Sequence, residues 1–360
     1  RLFWPSSFYS QVFNFKSTSS TPHLTSITLV FADPMAPTIR VAAVQAEPVP
    51  FDLDATVDKT CKLITEAAQN GAKLIAFPEV FVPGYPCWIW TRGIDLESAK
   101  LYIQNSLSRD SPQMQRIRAT AAENHIAVAL GYSENENNSL YIAQAYIGSD
   151  GTILMNRRKI KPTHLERTVF GDGNGSSLLN VVETPGVGKV GMLSCWEHTQ
   201  SLLKYHTHSQ GEQIHVAAWP PMLPFQEGKG LWSSSAEGSL NLSINHSIEG
   251  CCFTIHSNAI ITPQTIDHEH MQTKSGEFFN RPGGGNTAIF APDGQKISTT
   301  NLAPDEEGLV YADLDFDRIL YCKAMLDTCG HYSRPDLLWL GVDYQDKNHV
   351  RPKMEKSSEQ

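Results

Sequence analysis

In the stretch GKVGMLSCWEHTQ, residues 188–200, an apolar run climbs through Gly191, Met192, Leu193 and Ser194, then meets a cysteine, a tryptophan, a glutamate and a histidine. Such a run reads as a buried strand, and the polar residues after it as a turn into a helix. Ser194-x-x-Glu197 matches a capping box, which places Cys195 at the first helical position. There the helix dipole and free N–H groups favour negative charge, so the thiol pKa is expected to fall below its ordinary value of about 8.5. The competing reading is packing, because most buried cysteines are inert.

Outward from this stretch the chain alternates strands and helices. IRVAAVQA (39–46) is a near-continuous apolar strand, and KLIAFPE (73–79) is a second. Between them 54–70 is a helix: Val57, Cys61, Ile64 and Ala68 share one face, and Gly71 stops it. Further helices are expected at 95–107, 112–124, 198–208, 233–248 and 315–326. Further strands are expected at 125–131, 139–147, 152–160, 178–183, 188–194, 213–218, 251–257, 286–290 and 308–313, with GSDG (148–151) as a hairpin turn. Helices alternating with apolar strands argue for α/β layers, and short turns between paired strands argue for mixed sheets. Residues 221–238 carry Pro, Gly and Ser and read as a surface excursion.

The composition suits a globular chain of 360 residues, 41% hydrophobic and 19% charged. A formal charge of −9 argues against nucleic acid or anionic lipid as partners. No apolar run approaches the roughly 18 residues that cross a bilayer. Seven scattered cysteines (61, 87, 195, 251, 252, 322, 329) read as reduced thiols of a cytoplasmic protein. Residues 1–34 are rich in Ser and Thr and carry only Arg1, Lys16 and Asp33 as charges. They are expected to lie upstream of a true start at Met35 and outside the fold; a transit peptide would carry more arginine. The polar tail 346–360 is expected to be loose.

Two further stretches carry chemistry. In IAFPEVFVPGYP (75–86), Glu79 lies just past the end of a buried strand, the edge where α/β sheets bind ligands. The plain alternative is a solvated loop glutamate. Its neighbours Phe77, Val80, Phe81, Tyr85 and Trp88 weaken that alternative, since an apolar setting raises a carboxyl pKa toward what a general base needs. In RRKIKPTHLERTVFGDG (157–173), Arg157, Lys159 and Lys161 share one side of an extended strand. Lys161 precedes Pro162 and so is read as the strand's end, beside Glu166. Thr163-x-x-Glu166 is also a capping box, which on its own predicts an exposed glutamate bound to backbone. His268 with His270, and Cys251-Cys252 with His256, match no zinc-ligand spacing, so no metal is expected.

Glu79, Lys161 and Cys195 together resemble the nitrilase branch of the carbon–nitrogen hydrolase superfamily. The likeness is carried by FPEVFVPGYPCWIW (77–90), RRKIKPTHLER (157–167), GMLSCWEH (191–198), GEQIHVAAWP (211–220), NRPGGGNTAIFAPDG (280–294) and GHYSRPDLL (330–338), in the family's order over residues 38–345. The wording around Cys195 and in GEQIHVAAWP is most similar to fungal nitrilases of the arylacetonitrilase type, with cyanide hydratases as close relatives. The resemblance implies a four-layer α-β-β-α sandwich of two mixed sheets, extended across a dimer. It implies growth of such dimers into helical filaments, to which the 221–238 excursion contributes. It also implies Cys195 as nucleophile, Glu79 as general base, Lys161 as stabilising cation and Glu166 as second glutamate. No cofactor is expected, and the partner is a small nitrile.

With these residues Cys195 attacks the nitrile carbon while Glu79 takes the thiol proton. Lys161 and the Trp196 N–H meet the charge that develops on nitrogen. The resulting thioimidate adds water, then expels ammonia on the way to an acid or expels the thiol to leave an amide. Tyr85, Trp88, Trp196 and Trp219 are candidate pocket walls that suit an arylaliphatic nitrile, against a reading in which two of the four are ordinary core. The alternatives in function are a cyanide hydratase forming formamide and a non-catalytic filament scaffold.

Overall fold

The computed structural model describes residues 38–228 and 230–350. The expectations for residues 1–34, and for 351–360 of the tail, lie outside these. The strands are β1 (Ile39–Ala46), β2 (Leu74–Ala76), β3 (Ala127–Glu136), β4 (Ser139–Ile147), β5 (Ile153–Arg158), β6 (Val181–Thr184), β7 (Gly188–Ser194), β8 (Ile214–Trp219), β9 (Phe253–Ala259), β10 (Ala288–Phe290) and β11 (Gly308–Leu314). The helices are α1 (Leu53–Gln69), α2 (Leu96–Asn105), α3 (Pro112–Glu123), α4 (Ser201–Ser209), α5 (Ala236–Gly250), α6 (Pro263–Ile266) and α7 (Asp317–Met325).

The strands form one hydrogen-bonded path, β5-β4-β3-β2-β1-β9-β8-β7-β6, with β11 on β1 and β10 on β9. Pairing is parallel from β1 to β3 and from β7 to β9, and antiparallel for β3-β4-β5 and β6-β7. The expected mixed α/β sandwich is therefore present, but its two halves are joined. A short β1–β9 ladder, Gln45 opposite Asn258 and Ala46 opposite Ala259, links them.

β1 explains the layering. Val41 and Ala43 face one apolar cluster with Leu74, Ala76, Val190, Met192, Val216 and Ile255, which lies between the halves. Ala42 and Val44 face another, shared with Val57 and Ile64 of α1 and with Met114 and Ile117 of α3. A strand covered on both faces must be apolar throughout, which is why 39–46 shows no alternation. The outer side of the second half lies under α4 and α5, and there polar His215, Ser243, His246 and His256 are buried beside a small apolar cluster with Ala217 and Trp219. Among the described residues no helix is long and apolar enough to cross a membrane.

Two helix starts differ from expectation by three residues. The helix read at 198–208 begins at Ser201, because Cys195–Thr199 forms its own 3-10 turn. The helix read at 233–248 begins at Ala236, where the Ser235 side chain accepts a hydrogen bond from Gly238 N.

Candidate active site

Three strand ends converge. β2 runs out at Ala76, and Glu79 follows with its N–H donating to Trp219 O across the two halves (3.3 Å). β3 passes so close beneath that a Cβ at Gly131 would fall 2.0 Å from Pro78 O, so only glycine fits there. β5 ends at Arg158, and Lys159 still donates its N–H to Ile142 O at 2.7 Å. β7 ends at Ser194, and Cys195 turns the chain with a φ of 48°, in the left-handed region that costs a cysteine strain.

Lys159, not Lys161, stands between the two carboxylates. Its Nζ lies 2.9 Å from Glu79 Oε1 and 2.8 Å from Glu166 Oε2, and the side chain is 0% exposed. Lys161 is 58% exposed and pairs with Asp172 at 2.7 Å. Strand geometry turns Arg157 and Lys159 inward, but the chain leaves the sheet before 161, so Lys161 does not share their side. Glu166 is buried rather than exposed, and its capping and site contacts coexist. Oε2 accepts from Thr163 N (2.7 Å) as well as from Lys159, while Oε1 accepts from the Tyr85 hydroxyl (2.8 Å). Glu79 Oε2 is buried without a hydrogen-bond partner. Ligand-type atoms of Glu79, Glu166 and Cys195 lie within 4.8 Å of one another.

Burial dominates the electrostatics. It raises the Glu79 carboxyl pKa to about 8, with Lys159 opposing and Glu166 reinforcing. Burial also works against the Lys159 ammonium, but Glu166 and Glu79 outweigh it and hold that pKa well above the ordinary lysine range. The Cys195 thiol is pushed well up by burial and then by Glu79, against Lys159 and a hydrogen bond from the Trp196 N–H. This overturns the expectation of a lowered thiol pKa. The 3-10 turn is too short and the site too dry for the turn's N–H groups to win. Burial keeps the proton on the thiol, and above its raised pKa the Glu79 carboxylate is available to take it.

The sequence reading missed a clasp that aligns these groups. Glu197, read only as a cap, accepts both Nη1 (2.8 Å) and Nη2 (2.7 Å) of Arg157, and also Ile160 N and Ser194 N at 2.9 Å each. Burial opposes its charge, but Arg157 outweighs that and keeps the carboxyl pKa low. The strand carrying Lys159 is thereby bolted to the turn carrying Cys195. The signal in the sequence was an arginine two residues from Lys159, at the same parity.

A cavity of about 620 Å³ opens onto Cys195 and Glu166, walled by Tyr85, Trp90, Trp196, Phe278 and Phe279. Tyr85 and Trp196, two of the four candidate walls, line it. Trp88 and Trp219 are not in this wall. Trp88 packs on Phe51 and Tyr102, and Trp219 stacks on His198 while donating to Ser243 Oγ. Trp90 and the Phe278-Phe279 pair were overlooked; the pair sits just ahead of the NRPGGGN stretch. A larger cavity, about 830 Å³, includes Lys161 but neither Glu79 nor Cys195.

Side chains of metal-ligating type also cluster, at His208, Glu212, His246 and Cys252 and at His198, His215 and His246. Hydrogen bonds knit the histidines and Glu212 to one another. In the Glu79–Glu166–Cys195 group the Lys159 ammonium already supplies the positive charge.

This layering, with a cysteine, a lysine and paired glutamates gathered at strand ends, is that of a carbon–nitrogen hydrolase. The carbon–nitrogen hydrolase family matches residues 40–323, and the chain belongs to it. It is 57% identical over 317 residues to an arylacetonitrilase of Aspergillus kawachii, covering 88% of this chain and 95% of that one. It is 56% identical to an arylacetonitrilase of Aspergillus niger, over 87% of this chain and 94% of that one. Among solved structures, a carbon–nitrogen hydrolase from Helicobacter pylori shares the fold with a TM-score of 0.62 at 16% identity, over 80% of this chain and 92% of that one. So does an amidase from Nesterenkonia, with a TM-score of 0.57 at 19% identity over 80% of this chain and 94% of that one, captured with an acetamide moiety on its active-site cysteine.

Proposed function

We propose that this protein is a nitrilase that hydrolyses arylacetonitriles to carboxylic acid and ammonia through covalent intermediates on Cys195. The observation that carries the reading is the buried thiol beside the unpartnered Glu79 Oε2, in a chain 57% identical to an arylacetonitrilase. Cys195 Sγ attacks the nitrile carbon as Glu79 takes the thiol proton. The developing negative charge on nitrogen is met by Lys159 Nζ, in the role first read onto Lys161, and by the Trp196 N–H. One such donor in a dry site is typically worth about 2.7–4 kcal/mol. Glu79 then activates the water that adds to the thioimidate. Loss of ammonia leaves a thioester, which a second water opens to the acid. Glu166 fixes Lys159 and the Tyr85 hydroxyl.

The aromatic walls and the volume of about 620 Å³ suit an aryl ring on a short arm. Hydrogen cyanide would leave most of that space unfilled, and so the hydratase reading is not favoured. Dimers and filaments belong to the proposal too, supported by exposed Leu320, Tyr321, Leu338 and Trp339 and by Leu231 and Trp232 on the excursion. A cytoplasmic setting fits seven cysteines that are all free. The test is incubation with phenylacetonitrile, and separately with cyanide, measuring ammonia, acid and amide. Ammonia and phenylacetic acid that vanish in Cys195→Ala support the reading; formamide from cyanide alone overturns it. Sedimentation velocity reads the assembly.

A further inference from the structure

Behind the nucleophile a buried polar chain runs away from the substrate cavity. His198 Nδ1 lies 2.7 Å from Cys195 O, and His198 Nε2 lies 3.0 Å from His215 Nε2. His215 Nδ1 lies 2.7 Å from Glu212 Oε2. Glu212 Oε1 in turn meets His208 Nδ1 at 2.9 Å and His246 Nε2 at 2.8 Å. All five side chains are buried. The mechanism above uses none of them.

Counting hydrogens decides the charge. A carbonyl can only accept, so His198 Nδ1 carries a hydrogen. The facing Nε2 atoms share a second, and His215 Nδ1 gives a third to the Glu212 carboxylate. Two imidazoles holding three hydrogens carry one positive charge. His208 and His246 also present N–H groups to Glu212, and His208 Nε2 and His246 Nδ1 are buried without partners, as expected of bare ring nitrogens. Burial, then His215 and His246, hold the His198 pKa well below the ordinary range. Burial opposes the Glu212 charge, but His215 and His246 outweigh it and hold that carboxyl well down. Other groups facing this chain are His256, Cys329, the Lys204–Glu249 pair and Cys252, which has a pKa pushed up by burial and then by Glu212.

We propose that Glu212, His215 and His198 form a positioning relay that locks the Cys195 peptide and polarises it from behind. Cys195 O and the Trp196 N–H are the two ends of one amide. A hydrogen bond from a cation-backed imidazole to the oxygen makes the N–H a stronger donor. That N–H already points at the Cys195 sulfur. The same bond holds Cys195 at its strained φ of 48°. The inference rests on the nitrilase reading for its kinetic part only.

The test combines ¹⁵N-histidine NMR of the whole protein with His198→Asn and Glu212→Gln. The asparagine keeps an N–H for the carbonyl but breaks the link to His215. The expected spectrum has one doubly protonated histidine at pH 8, lost in Glu212→Gln. In His198→Asn kcat falls about ten- to a hundredfold, less than for a removed oxyanion donor. KM changes less than about twofold, and alkylation of Cys195 by iodoacetamide slows in parallel. Only neutral histidines in the spectrum, or a folded His198→Asn enzyme with kcat within about twofold of wild type, would overturn the relay. So would stoichiometric zinc in the purified protein, because it would turn these nitrogens into ligands. If Glu212→Gln does not fold, His198→Asn and the wild-type spectrum decide. If wild type leaves nitriles untouched, the nitrilase reading fails, while the spectrum and alkylation still judge the relay.

Discussion

The two outer layers of this sandwich are built from different material. Under α1 and α3 the sheet presents Ala42, Val44, Ile75 and Val128 to Val57, Ile64 and Met114, an apolar contact throughout. Under α4 and α5 it presents His215 and His256, bonded to Glu212 and Ser243. The first layer stabilises by excluding water and is insensitive to direction. The second is directional, and the turn holding Cys195 sits on it. Buried polar groups cost stability unless every one is satisfied, so their concentration behind Cys195 marks where geometry matters more than stability.

The sharpest test of that contrast is at the site itself. Lys159→Met should leave a folded protein with turnover reduced about a thousandfold or more, since it removes a buried donor to the reacting nitrogen. Product formation beside a circular-dichroism spectrum checks it. Arg157→Leu strands the buried Glu197 carboxylate and should cost about 3–5 kcal/mol of stability, together with activity. Ile64→Ala, on the apolar layer, should cost about 2–5 kcal/mol in urea unfolding yet leave kcat of the folded fraction unchanged. A large kcat loss there would erase the distinction between the layers. The pH profile comes next. With Glu79 raised to about 8, its base form is lost as pH falls through that value, so kcat/KM should drop by about tenfold per unit on the acid side. A flat profile between pH 6 and 8 would contradict the assignment of Glu79. Smallest of all is Lys161→Met, expected to change turnover less than about twofold, because that ammonium lies in solvent beside Asp172.

The elements most legible in the sequence were those set by one period. β1, β7 and α1 followed from apolar runs and a helical face, and Glu79 and Cys195 from their places at strand ends. Lys159 was missed because a residue's facing depends on where the strand lets go, and Pro162 marked that point two residues late. Trp88 and Trp219 were indistinguishable from Trp90 and Trp196 because aromatic residues serve core and cavity alike. The thiol's direction of titration was misread because local sequence announces a helix end but not how much water is excluded around it. The Glu212–His215–His198 chain joins a turn to a strand through contacts that no single period encodes.

The proposed chemistry divides itself across the β1–β9 ladder. Glu79 and Lys159 follow strands of the first half, and Cys195 follows a strand of the second. The gap between base and nucleophile is thus gauged by two residue pairs, by the Glu79–Trp219 backbone bond and by the Arg157–Glu197 clasp. A parting of the halves by an ångström would leave every helix intact and the thiol without its proton acceptor. Heat should therefore silence this protein some degrees before it melts it.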